Sequence, residues 1–244
     1  HNNFFGTNAG RCASGGGSNN NFIGEEAGLS NTTGSHNNFF GNDAGRRTTT
    51  GQCNNFIGVA AGLANTTGSC NTMIGISAGR CATVTGVNNT FLGTNAGRCA
   101  SGGGSNNNFI GKDAGRSNTT GSHNNFFGND AGCSNTTGND NVFLGRTVGT
   151  ANTTGASNIY IGSNIAGNAV SSCANGNIVI GKTSAKCISG NCNIILGCCT
   201  GGQAANLTGE YNFIAGFCAG KCQTTGDNNL IIGRNAGQSN SGTN

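Results

Sequence analysis

The strongest constraint on the fold of this chain is a repeat that fills its whole length. One apolar residue, most often Phe and here called the marker, recurs at intervals of 16 to 19 residues. The markers are Phe4, Phe22, Phe39, Phe56, Met73, Phe91, Phe109, Phe126, Phe143, Tyr160, Val179, Ile195, Ile214 and Ile231. A repeat of this length, with one short apolar run and two or three glycines, is typical of a solenoid whose units stack as coils.

The composition also sets this chain apart from an ordinary enzyme domain. It has 244 residues, 46 Gly, no Pro and 8% charged residues. Disordered chains usually combine high net charge with few aromatics, whereas the 13 Phe here recur at regular positions. No stretch has helical periodicity. The sequence therefore predicts an all-β chain, a parallel β-solenoid (β-helix) of about 14 coils of 17–18 residues, as a single repeat domain over residues 1–244.

An Asn stands two positions before every marker. These residues are Asn2, Asn20, Asn37, Asn54, Asn71, Asn89, Asn107, Asn124, Asn141, Asn158, Asn177, Asn193, Asn212 and Asn229. Coils stacked at about 4.8 Å place equivalent amides one above another, which favours a structural Asn ladder of side-chain hydrogen bonds. The alternative is a turn position that selects Asn for its tolerance of positive φ.

The marker and the residue after it are both apolar in nearly every coil. Examples are Phe4-Phe5, Phe39-Phe40, Phe126-Phe127 and Ile231-Ile232. Successive strand residues point to opposite faces, so one column fills the core while the other forms an apolar stripe outside it, running for about 60 Å. Such a stripe indicates lateral association with identical chains. The alternative is a corner or bulge that turns both residues inward.

After the marker each unit reads apolar, Gly, two variable residues, small, Gly, as in Ile57-Gly58-Val59-Ala60-Ala61-Gly62. This phrase resembles the hexapeptide repeat of left-handed β-helices. The NNxFxGxxAG units are also similar to the head repeats of trimeric autotransporter adhesins and to repeats of phage and bacterial tail-fibre proteins. The resemblance covers all fourteen units and implies a left-handed coil in a fibre or adhesin.

Thirteen cysteines are unusual for a chain of this length. Three pairs share a column in adjacent coils, within disulfide range: Cys53 with Cys70, Cys81 with Cys99, and Cys199 with Cys218. Cys173 and Cys192 form a fourth pair if a 19-residue coil and a 16-residue coil compensate.

An odd number of cysteines leaves at least one without a partner in the chain. Cys12 and Cys133 lack a neighbour in their columns and are the candidates for inter-chain bonds. Disulfides indicate an oxidising, extracellular location, either secreted or on a cell or virion surface. Six cysteines within residues 187–222 also raise a metal site as an alternative, but no CxxC pair or nearby His supports it. We expect no cofactor.

Surface signals are sparse. N-x-T triplets begin at Asn31, Asn65, Asn118, Asn135, Asn152 and Asn206, which are candidate glycosylation sites or corner motifs. Thr residues at 32, 49 and 66, and again at 119, 136 and 153, would stack into an ice-binding array. A sparse basic column (Arg11, Arg46, Arg80, Arg98, Arg116, Lys186 and Lys221) favours a solvated face or subunit contact over nucleic acid, since the net charge is only +4. No segment has the length and hydropathy for membrane insertion.

These patterns predict a structural or adhesive extracellular fibre subunit that self-associates into a filament or oligomeric stalk. Its partners are identical chains and, for an adhesin, a surface glycan or receptor. No capping unit is visible at either end, so we expect a segment of a longer array or ends that stack on neighbouring copies. We do not expect an enzyme. The alternatives are an ice-binding β-solenoid and a hexapeptide-type acyltransferase that would use His36 or His123.

Overall fold

The computed structural model of the protein describes residues 1–81, 85–100, 102–166, 173–202 and 206–237. Within these ranges the chain contains fourteen short β-strands, one for each coil, and no helix. The predicted fold class, an all-β parallel β-solenoid, is confirmed. Two compact units are distinguished, His1–His123 and Asn124–Asn244, and each is described by itself.

The first unit contains seven strands, which pair in parallel with their neighbours within the unit. They are β1 (Asn3–Phe5), β2 (Asn21–Ile23), β3 (Asn38–Phe40), β4 (Asn55–Ile57), β5 (Thr72–Ile74), β6 (Thr90–Leu92) and β7 (Asn108–Ile110). Marker pairs with marker throughout, as in Phe22 with Phe39 and Phe39 with Phe56. Identical sequences in consecutive coils are thus in register, which explains why near-identical stretches recur.

The second unit follows the same plan with seven strands. They are β8 (Asn125–Phe127), β9 (Val142–Leu144), β10 (Ile159–Ser163), β11 (Ile178–Lys182), β12 (Ile194–Leu196), β13 (Phe213–Ala215) and β14 (Leu230–Ile232). Each strand pairs in parallel with the next, for example Tyr160 of β10 opposite Val179 of β11. The longer β10 and β11 remain paired as far as Ser163 and Lys182.

The markers form the core of each unit. Phe22, Phe39 and Phe56 have no exposed surface, and their rings stack with centroids 4.8 Å apart and planes within 6° of parallel. In the second unit Phe143 stacks on Tyr160 at 4.9 Å. Stacking at the strand spacing is the geometry that identical in-register side chains adopt in cross-β assemblies. A second buried column holds small residues such as Ala44 and Ala61, which leave room for the rings.

Close packing favours glycine at two positions of the coil, although Ala166 and Ala185 occupy the second position in two coils. Gly58 has φ +132°, and a Cβ there would lie 2.6 Å from the carbonyl oxygen of Gly75 in the next coil. Gly62 has φ +57°, and a Cβ there would lie 2.5 Å from the ring of Phe56. Side chains therefore collide with the neighbouring coil at the first position and with the core ring at the second.

Candidate assembly surfaces

The column of Asn residues two positions before the markers is a buried ladder of hydrogen bonds, as predicted. In the first unit, the backbone N–H and the side-chain Nδ2 of Asn54 both donate to Oδ1 of Asn37, at 2.9 and 3.1 Å. Nδ2 of Asn54 also donates to the carbonyl oxygen of Gly68 at 2.9 Å. Asn141, Asn158 and Asn193 of the second unit make the same three kinds of contact. The ladder satisfies amides that burial would otherwise leave unpaired.

A second Asn ladder lies on the outside of the first unit, one residue further along each strand. Asn3 donates to Asn21, Asn21 to Asn38, and Asn38 to Asn55, each from Nδ2 to Oδ1 at 2.7 to 2.8 Å. In this outer Asn ladder each Nδ2 donates to the Asn of the following coil. In the buried ladder each Nδ2 donates to the Asn of the preceding coil. The sequence contains this column, but the prediction treated only the residue before it as a ladder.

The residue after each marker forms a continuous outer apolar column in each unit. In the first unit this column comprises Phe5, Ile23, Phe40, Ile57, Ile74, Leu92 and Ile110. Ile57 is 40% and Leu92 41% exposed, while the marker beside each is buried. The predicted alternation of a buried marker and an outward successor is therefore confirmed. Phe4, Phe39, Phe126 and Ile231 are the inward members of the predicted stripe, and Phe5, Phe40, Phe127 and Ile232 the outward ones.

In the second unit the outer apolar column comprises Phe127, Leu144, Ile161, Ile180, Leu196, Ala215 and Ile232. The position before the marker, occupied by the outer Asn ladder in the first unit, is also apolar from β9 to β14. Its members are Val142, Ile159, Ile178, Ile194, Phe213 and Leu230. Both outward positions of these six strands are therefore apolar.

No disulfide bond joins any of the cysteines within the described residues. Three of the predicted cysteine pairs lie in shared columns of adjacent coils, as expected. Cys53 and Cys70 donate equivalent backbone hydrogen bonds to the preceding coil, and both side chains are exposed. The thiols of Cys81 and Cys99 are hydrogen-bonded, and burial together with Cys81 raises the pKa of Cys99.

Cys199 contacts two other thiols. Its Sγ lies 3.5 Å from that of Cys198, and it is also hydrogen-bonded to Cys218. The hydrogen bond with Cys198, followed by burial and the charge of the neighbouring thiols, raises the pKa of Cys199. A group of three His, Cys, Asp or Glu side chains suited to a metal ion is absent from the described part of the chain.

Two cysteine predictions are wrong. Cys173 and Cys192 do not share a column. The backbone N–H of Cys192 donates to the carbonyl oxygen of Asn175, and the backbone N–H of Gly176 donates to that of Ala156 in the same way. Cys192 is therefore aligned with Gly176 and not with Cys173. Cys133, a predicted inter-chain cysteine, is only 9% exposed and cannot reach a second chain without rearrangement of the coil. Cys12 is exposed and stays a candidate.

The N-x-T triplets occupy a buried corner. Asn31, Asn65, Asn118 and Asn135 have no exposed surface, and Asn152 is 5% exposed. Nδ2 of Asn65 donates to Gly68, and the equivalent atom of Asn152 donates to Gly155, at 3.1 and 3.0 Å. Because a glycan would be attached at Nδ2, the folded coil cannot carry one at these five positions, and the glycosylation prediction is wrong there. Asn206 is half-buried and donates to Ser189.

The Thr columns have different roles. Thr32 and Thr49 each donate a hydroxyl hydrogen bond to a carbonyl oxygen of the next coil, at 3.1 and 3.2 Å. The residues after them, Thr33 and Thr50, are exposed. The predicted Thr column is therefore half-buried and bonded to the backbone, and the column after it is more exposed.

Part of the basic column pairs within the chain. Nε of Arg46 lies 2.9 Å from Oε2 of Glu26 in the preceding coil. Nη1 of Arg116 lies 3.9 Å from Oδ1 of Asp113. The arginine side chain is 43% exposed in each pair, so these pairs contribute little to stability.

The strand positions directly before and after each marker carry no charged side chain, although β11 ends at the exposed Lys182. Among the described residues, no helix has the length and apolar character to span a membrane. Comparison with protein-family models, with curated proteins and with solved structures gives no match for this chain. The fold and these surfaces define its class as a parallel β-solenoid with an outward apolar column.

Proposed function

We propose that the protein is a structural or adhesive subunit of an extracellular fibre and that it associates with identical chains. The observation that carries the proposal is the outer apolar column, which gives every strand one outward apolar side chain. Exposed apolar patches on this scale mark interaction sites more often than they are left in water. A second copy has the same rise per coil, so its rungs match those of the first over many coils.

The remainder of the architecture supports a mechanical role. Parallel backbone hydrogen bonds, the buried Asn ladder and the stacked core rings all run along the direction of coil stacking. No part of this network needs a ligand to be complete. We propose that oxidation of the column-sharing cysteines adds cross-links between coils in an extracellular setting.

The proposal is tested by sedimentation velocity over a concentration series. A variant with Ile57, Leu92, Leu144 and Ile180 replaced by Thr removes apolar surface and retains residues that favour strands. We expect the wild-type protein to gain mass with concentration and this variant to remain monomeric with an unchanged circular dichroism spectrum. Val87→Thr is the matched control, since Val87 is 38% exposed but lies outside the column. A wild-type protein that is monomeric at every concentration would contradict the proposal.

A further inference from the structure

One face of the second unit is apolar at both positions that flank the marker, from β9 to β14. We call it the wide face and define it as the side chains directly before and after the marker in β9 to β14, which leaves out Ser163 and Lys182 at the ends of β10 and β11. Its members are Val142, Leu144, Ile159, Ile161, Ile178, Ile180, Ile194, Leu196, Phe213, Ala215, Leu230 and Ile232. Leu144 is 46% and Ile180 40% exposed, and Leu230 and Ile232 at the last strand are 71% and 62% exposed.

The corresponding face of the first unit has a different character. Half of its outward positions in β1 to β4 belong to the outer Asn ladder, of which Asn3 and Asn55 are exposed. Each ladder amide retains hydrogen-bonding capacity that the neighbouring Asn does not use, and water satisfies it. A dry contact there would remove that water without supplying replacement partners, a cost that the wide face does not incur.

We propose that the wide face is the self-association site, and that its partner is the wide face of a second copy. This inference rests on the proposed function and assigns it to one surface. None of the twelve side chains is charged, and these strands contribute a single cation, Lys182 at the end of β11, so the face offers no charge pattern by which a different protein would be selected. It does offer a fixed rise from strand to strand, which another copy reproduces.

The sizes of two residues in β13 indicate how the copies are related. Phe213 and Ala215 are the outward residues of that strand, one large and one small. Consider a two-fold axis that runs parallel to the direction of coil stacking. It places the column before the markers in one copy against the column after the markers in the other copy. Phe213 then packs over Ala215 of the second copy, and the same contact recurs on the other side of the axis. The large side chain of one copy thus packs against the small side chain of the other.

The area of the wide face sets the expected strength. Six strands at about 4.8 Å and two outward positions spanning roughly 10 Å give a patch on the order of 300 Å². This is well below the ~800 Å² per partner of a standard interface. Association through this face is therefore expected to be reversible and dependent on protein concentration.

The test compares two equivalent outward positions by sedimentation velocity. Ile180→Lys places a charge in the wide face, and Leu92→Lys places one in the outer apolar column of the first unit. The two wild-type side chains are 40% and 41% exposed, so the substitutions are closely matched. We expect Ile180→Lys to abolish the concentration-dependent gain in mass, and Leu92→Lys to leave at least half of it. Circular dichroism verifies folding, and Ile180→Thr replaces the Lys variant if that chain fails to fold.

The two-fold arrangement is tested by exchanging the sizes of the β13 side chains. Ala215→Phe alone sets two Phe side chains against each other and should weaken association at least tenfold. Phe213→Ala combined with Ala215→Phe restores one large and one small residue at each contact and should recover most of the wild-type affinity. Failure of this recovery would overturn the two-fold arrangement. Association that survives Ile180→Lys or is lost in Leu92→Lys would overturn the wide face itself, whereas a monomeric wild-type protein overturns the proposed function as well.

Discussion

The side-chain oxygen of Asn37 accepts two hydrogen bonds from Asn54 one coil away, from its backbone N–H at 2.9 Å and from its Nδ2 at 3.1 Å. Asn54 in turn accepts from the backbone N–H of Asn71 at 3.0 Å. One amide therefore connects three coils, and both residues of the first pair are fully buried. Removing the Asn54 amide therefore leaves the buried backbone N–H of Asn71 without its partner.

Asn54→Ala should destabilise the first unit strongly. It leaves the backbone N–H of Asn71 without its side-chain partner, at about 1–3 kcal/mol, while the carbonyl of Gly68 keeps the hydrogen bond from Asn65. We expect a loss of about 1–3 kcal/mol in the free energy of unfolding. Amide hydrogen exchange is the suitable measurement, because coils of a solenoid can open separately.

The matched control is the adjacent residue. Asn55→Ala removes one hydrogen bond of the outer Asn ladder, accepted from Asn38, at an exposed position. Its cost should be about 0.5–1 kcal/mol. Equal costs for Asn54→Ala and Asn55→Ala would contradict the structural role assigned to the buried ladder.

Gly58→Ala should be poorly tolerated. The backbone there has φ +132°, and the added Cβ would lie 2.6 Å from the carbonyl oxygen of Gly75. Backbone strain alone costs about 1–3 kcal/mol, and separating two stacked coils adds to it. Thermal unfolding should show a clear drop in midpoint. Gly103→Ala is the control, since the nearest atom to a Cβ there is Oγ1 of Thr85 at 3.6 Å. A similar drop for both variants would contradict the packing described.

The stability of the second unit should fall at alkaline pH because of Tyr160. Burial raises the pKa of its hydroxyl far above the usual value of 10.0, against a smaller opposing effect of its hydrogen bond with Asn177. Above pH 10 the unfolded chain loses this proton while the folded chain keeps it. The folded state then binds more protons, so the free energy of unfolding decreases as pH rises, by about 1.4 kcal/mol per pH unit.

Tyr160→Phe removes this titration. Urea unfolding of both proteins at several pH values between 9 and 11 separates Tyr160 from the other groups that titrate there. The difference in unfolding free energy between wild type and variant should be constant below pH 10. Above pH 10 the wild type should lose stability relative to the variant. A difference that is independent of pH would contradict the burial of the hydroxyl.

Oxidation with glutathione disulfide should link the cysteines according to their columns. Peptide mapping is expected to find Cys53 with Cys70 and Cys81 with Cys99. Because burial and Cys81 raise the pKa of Cys99, its alkylation by iodoacetamide should increase up to a higher pH than that of an ordinary thiol. A link between Cys173 and Cys192 would contradict the observed register.

Cys199 is expected to divide between two partners, Cys218 in the next coil and the adjacent Cys198. Cys198→Ser removes one competitor and should raise the yield of the bond between Cys199 and Cys218. An unchanged yield would show that Cys198 does not compete.

The repeat itself made most of the fold predictable. Asn54 and Phe56 recur at fixed positions from coil to coil, so one conformation had to satisfy all copies, and the ladder and the core followed from stacking. Coils of unequal length were harder. The 19-residue spacing before Val179 and the 16-residue spacing after it do not reveal where residues are inserted, and for this reason Cys173 was aligned with the wrong residue.

The surfaces were less predictable than the core. Asn65 and Thr66 match a glycosylation signal, and only the geometry of the corner shows that Asn65 points inward to Gly68. The outer Asn ladder was present in the sequence as Asn21 and Asn38, yet a polar residue on an outward face gives no sign of whether it bonds to its neighbour or to water. That distinction depends on coil spacing, which the structure supplies.

Electron microscopy of the purified protein, without and then with reductant, tests most directly whether the chain assembles with identical copies. We expect assemblies of constant width whose fibre diffraction has a reflection near ~4.8 Å along the axis, since the coils stack in that direction. Fraying with reductant would assign the cysteines to cross-links between coils. Single particles of one chain at every concentration, in both conditions, would contradict the proposed fibre.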